Sequence, residues 1–111
     1  MTDTPSHAMI VGDDGIPTGV VDFTQIQSEA TILMYTYAAA AGNDEDIDAV
    51  ALDLMRNNSV DSVGYINAAA LSLMVRCVVA PMLETIDTLA PALDFRAKLA
   101  ESRDNAIETL R

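Results

Sequence analysis

The chain of 111 residues is half hydrophobic and carries 17 acidic against six basic side chains, a formal net charge of -11. Its length bounds it to one domain, with enough apolar residues for a core that needs neither disulfides nor a metal. The charge excludes nucleic-acid phosphates and anionic membranes as direct ligands, because both would be repelled.

The acidity is lopsided. Residues 1–61 hold eleven acids and one base, Arg56, for a charge of -10, whereas residues 62–111 hold six acids and five bases, for -1. An acidic half of this kind suits a basic protein surface as partner. Asp outnumbers Glu twelve to five and Arg outnumbers Lys five to one, the bias of a GC-rich coding sequence, so composition is a second source for the same charge. The single cysteine, Cys77, rules out an internal disulfide and points to a reducing, cytoplasmic setting, where a buried, inert thiol is expected.

Residues 1–8 read as a polar tail that carries the single histidine, His7, as a solvated side chain. The polar TDTPSHA after Met1 lacks the basic-then-apolar order of a secretory leader. Residues 9–21 read as a short extended arm or small β-hairpin. Two β-prone pieces, 9–11 and 19–21, flank a tight-turn signal at Asp14-Gly15, and Pro17, which cannot donate to a ladder, keeps any strand here short or at an edge.

Residues 22–111 read as a mainly α domain, a small bundle of about four helices completed by homodimerisation. The first helix starts near Asp22 or Thr24 and ends at Gly42, a left-handed cap. Phe23, Ile26, Ala30, Leu33, Tyr37 and Ala41 recur every three or four residues as its apolar stripe, widened by Ile32 and Met34. Asn43 or Asp44 caps a second helix that ends near Asn57-Asn58, buries Ile47, Val50, Ala51, Leu54 and Met55, and crowds acids into its first turns, where the helix dipole favours them. The third spans roughly 60–89 and is apolar around most of its girth from Ala68 to Val79, as a central helix touched on several sides would be. Pro81 predicts a kink or break in it. The last helix begins near Pro91, with Ala92, Phe95, Leu99, Ala106 and Leu110 on one side and the charge pairs Asp94–Lys98 and Glu108–Arg111 on its surface.

Between Ser62 and Leu83 the only charge is Arg76. The run is long enough to cross a bilayer, but an internal arginine costs roughly 2.5–3.5 kcal/mol at a helix centre and no basic cluster flanks either end. A soluble bundle is the expectation. There Arg76 either snorkels to water, or is buried with an acid such as Glu29 or Asp53, or sits in a seam between two copies.

Motifs for catalysis are missing. DEDIDAVALDLM imitates a calcium loop at Asp44, Asp46 and Asp48, yet Ala49 stands where the loop needs glycine and Met55 where it needs a bidentate glutamate. One cysteine and one histidine make no zinc site. No catalytic residue, metal ligand or cofactor is assigned. Two functions of different class remain. One is a non-enzymatic acidic module that binds a basic protein surface through Asp44, Glu45, Asp46, Asp48 and Asp53, as a regulator, inhibitor, assembly chaperone or DNA mimic does, a type frequent among phage and mobile-element accessory proteins. The other is a binder of small anions, or an enzyme, with Tyr35, Tyr37, Tyr65, Asn67 and Arg76 around a pocket. A structural subunit of a larger assembly differs from the first mainly in permanence.

Overall fold

The structure, a computed structural model, describes residues 7–11 and 17–110, and side chains over 23–110. The expected Asp14-Gly15 turn, most of the expected tail and the Arg111 half of the Glu108–Arg111 pair lie outside those residues. The described chain is mainly α and divides into two units, the first ending at Met74 and the second beginning at Val75.

In the first unit, β1 (His7–Val11) and β2 (Pro17–Asp22) pair antiparallel, with Met9 opposite Val20 and a register shift between Ile10 and Val11. Pro17 opens β2, a position where its missing amide proton breaks no interior ladder bond. His7 is the first residue of β1.

Helix α1 (Phe23–Ala39) follows directly and ends in a turn over residues 40–42. Gly42 takes φ +93, a left-handed conformation that a side chain at this position would strain. Helix α2 (Asp44–Asn57) is capped by Asn43, whose Oδ1 accepts from the Asp46 amide at 3.1 Å. Helix α3 (Val60–Met74) is capped by Ser59, whose Oγ accepts from the Ser62 amide at 3.2 Å.

The core of this unit lies chiefly between α1 and α3, and α2 packs on more lightly. Ile26, Ala30, Leu33 and Met34 of α1, Leu54 of α2, and Ile66 and Ala70 of α3 are buried. Their spacings of three and four put each set on one helical face. Several expectations need correction, and Ile32 and Ala41, placed on the apolar stripe of the first helix, are exposed. Met55 is exposed, because it follows Leu54 by one residue and so lies about 100° round the helix. Helix 60–89 is not surrounded: only 11% of its most apolar stretch is buried, and Leu71, Val75 and Met82 are exposed.

The helical backbone continues from α3 through a π turn (Val75–Val79) into α4 (Ala80–Leu89). Proline explains the wide turn. Pro81 offers no amide proton, and its ring would strike the carbonyl of Cys77 in a regular α-helix; widening the turn that contains Cys77 relieves the clash without ending the helix.

The second unit holds the π turn, α4, a 3-10 turn (Pro91–Leu93) and α5 (Phe95–Leu110). Asp94 stands in the left-handed region at φ 43, and its Oδ1 accepts from the Ala97 amide, so it caps α5. That use replaces the expected Asp94–Lys98 ion pair: the Lys98 ammonium instead lies 5.0 Å from the centre of the Phe95 ring. Arg96 bridges from α5 to Asp87 of α4 at 2.8 Å. That hydrogen bond is the main cause of a raised arginine pKa; desolvation opposes it, and the charges of Asp87 and Glu84 add to it more weakly. Helices α4 and α5 bury no side chain completely.

Candidate functional site

The acids expected to meet a partner share one helix. Asp44, Glu45 and Asp46 form the first turn of α2, beyond the Asn43 cap, and Asp48 and Asp53 follow on the same helix. All five are exposed, and none has a basic side chain within ion-pair distance among the described residues. The two ion pairs of the described chain, Arg96–Asp87 and Arg103–Asp104, both lie in the second unit. Local sequence explains the exposure: the dipole of α2 stabilises acids at its N-terminus without a cation, and Arg56, the only base over residues 1–74, is exposed near the other end of the helix.

Grooves between its helices indent the first unit. Between α1 and α2 an open groove of about 310 Å³ is lined by Glu29, Ile32, Leu33 and Thr36 from one helix and by Val50, Asp53, Leu54, Asn57 and Asn58 from the other. Both helices supply residues at intervals of three and four, so each presents a single stripe to the groove. Asn58 Nδ2 donates to the Leu54 carbonyl at 3.0 Å, closing the last turn of α2. Glu29, half-buried, accepts from Gln25 Nε2 at 3.3 Å. The second groove, about 400 Å³, lies between α1 and α3 and is lined by Met34, Tyr37, Asn67, Ala70, Leu71 and Met74.

These grooves regroup the expected site residues. Glu29 and Asp53, each proposed as a partner for Arg76, line one groove together, which the linear order conceals because 24 positions separate them. Of the five side chains expected around a ligand pocket, only Tyr37 and Asn67 share a cavity, and no basic residue lines it. Tyr35, Tyr65 and Arg76 are exposed. Arg76 lies on the π turn and has no ion-pair partner among the described residues. Cys77 beside it is exposed too, which corrects the expectation of a buried thiol. Both exposures go with a helix that buries no residue from Val75 to Leu89. Among the described residues no group of three or more His, Cys, Asp or Glu side chains is placed to hold a metal. No family model, curated protein or solved structure matches the chain.

Proposed function

We propose that the chain is a non-enzymatic, acidic helical interaction module of the cytoplasm. A second copy completes its helical domain, residues 9–21 serve as a short arm or hairpin, and the acids of α2 dock a basic protein surface. Regulator, inhibitor and assembly chaperone, of the phage or mobile-element accessory type, are the roles that fit such a surface; DNA mimicry is the sharpest form.

The observation that carries this reading is the row Asp44, Glu45, Asp46, Asp48 and Asp53, exposed along one helix with no cation in contact among the described residues. Carboxylates so placed are solvated at little cost in the free chain and gain most from an opposing basic surface, which also speeds encounter. Self-association rests on a different observation. Fifteen large apolar side chains stand exposed among the described residues against seven buried apolar ones, the surface of a chain with a partner still to meet.

Affinity capture from the native host, with the partner identified by mass, tests the first half. The expected partner is basic, and its affinity falls by about tenfold or more as salt is raised from low to physiological strength. An affinity that does not change with salt would refute the acidic docking mode. A purely structural subunit would show open-ended polymerisation in sedimentation instead of a closed dimer.

The groove between α1 and α3 favours a second reading, a small-molecule site, since its size is that of an ordinary ligand pocket. Its lining offers apolar contact and Asn67, so a neutral, largely apolar ligand suits it better than an anion. Thermal stability unmoved across a metabolite screen would end that reading.

A further inference from the structure

We infer that the groove between α1 and α2 is a seat for a basic amphipathic helix of a partner protein, with the partner's apolar stripe on Ile32, Leu33, Val50 and Leu54 and its Arg or Lys side chains against Glu29 and Asp53. The inference rests on the acidic-module reading above and places its contact in the groove between α1 and α2 rather than at the first turn of α2.

Three features carry it. The floor is apolar but incompletely covered: Leu33 and Leu54 are buried, Val50 is half-buried and Ile32 remains 68% exposed. A carboxylate borders that floor on each helix, Glu29 on α1 and Asp53 on α2, and neither has a basic partner among the described residues. The walls are α-helices whose backbone groups bond within their own ladders, so no strand edge is on offer and recognition passes through side chains. A helix laid in a groove is the peptide mode that needs only side chains.

Charge selects the occupant. A second copy would bring its own acidic first half, at -10 over residues 1–61, against the same rim. Nucleic acid and anionic lipid are repelled likewise. A helix that alternates apolar and cationic faces satisfies both floor and rim.

The test uses the full chain and a fluorescent 18-residue helical peptide of Leu, Ala and Arg with Leu at every third or fourth position, against a scrambled peptide of equal charge. Binding is read by anisotropy and mapped by amide chemical shifts. The amphipathic peptide is expected to bind more tightly than the scrambled one and to shift the amides around Glu29, Ile32 and Asp53. Glu29→Gln with Asp53→Asn should weaken binding about tenfold, and Ile32→Ser about as much. Ile32 is exposed, so that change leaves the core intact. Asp44→Asn with Glu45→Gln removes the same charge outside the groove and should weaken binding far less. Equal losses from the two charge-matched pairs would overturn the groove while leaving a generally acidic docking surface. Equal binding of both peptides, or of neither, would also overturn it, with the host-partner experiment still deciding the broader reading. Shifts at Ile32 that grow with protein concentration and need no peptide would assign the groove to a second copy and sink the proposal.

Discussion

Met34 and Ile66 are the large side chains most completely removed from water, at 1% and 0% exposure. Truncating either to alanine should lower the unfolding free energy by about 2–5 kcal/mol in denaturant titration, the usual cost of lost apolar burial plus a residual cavity. The cap predicts a smaller effect: Asn43→Ala frees the Asp46 amide and should cost about 1 kcal/mol. Arg76→Met should leave a folded protein, because the side chain is exposed and has no ion-pair partner among the described residues. The Arg96–Asp87 pair adds no pH dependence in the neutral range. A raised arginine pKa gives stability that is present below the ordinary arginine value and is lost only as pH climbs through the raised one. At this scale the sequence is informative wherever period decides. Ile26, Ala30 and Leu33 fall on the stripe that the spacing picks out, and Gly42 takes the left-handed conformation expected of it. Met55 and Cys77 escape, since apolar character shows what a side chain prefers and not whether anything lies opposite it.

Helix boundaries follow the local chemistry of capping. Asn43 and Ser59 cap α2 and α3, and Asp94 caps α5, which places the first helical residue, Phe95, four residues beyond the start that Pro91 indicates. Pro91 opens the 3-10 turn instead. The effect of Pro81 was legible in kind but not in form. A proline inside an apolar run announces a disturbance, whereas the choice between break, kink and wide turn depends on whether the preceding turn can expand. Pro81→Ala should let the wide turn relax toward a regular ladder and slow amide exchange across residues 75–80. Unchanged exchange there would mean that something other than the proline holds the turn open. Helix α5 is the weakest element when considered alone: sixteen residues with none buried, and Phe95, Leu99, Ile107 and Leu110 open to solvent. Isolated helices of that length are marginal in water, so α5 should gain amide protection as protein concentration rises if a second copy covers that stripe.

For the whole molecule the central question is what meets the exposed apolar faces. The helix Val60–Leu89 is long and apolar enough to cross a membrane, with a mean hydropathy of 1.8 over its most apolar stretch. Charge argues for a protein partner over lipid: at -11 the chain is repelled by anionic vesicles and should not float with them in a gradient. Sedimentation velocity should instead show a concentration-dependent step to a closed dimer. If the seam includes the π turn, Arg76→Met shifts that equilibrium and the Cys77 thiol becomes slow to react as the dimer forms; a thiol equally reactive at all concentrations would put the seam elsewhere. A mainly α chain was legible from hydrophobic period and turn signals. The meeting of Glu29 with Asp53 was not, because nothing in the order of residues states which faces of α1 and α2 turn toward a common groove.

The wide turn before Pro81 also stores a spare residue. A five-residue π turn takes up more chain per revolution than an α turn, so it absorbs length without ending the helix. Deleting one residue between Val75 and Val79 would therefore act less like a lesion than like taking up slack: the ladder closes as an ordinary α turn over one residue fewer, and the spacing of side chains within α4 is left as it was.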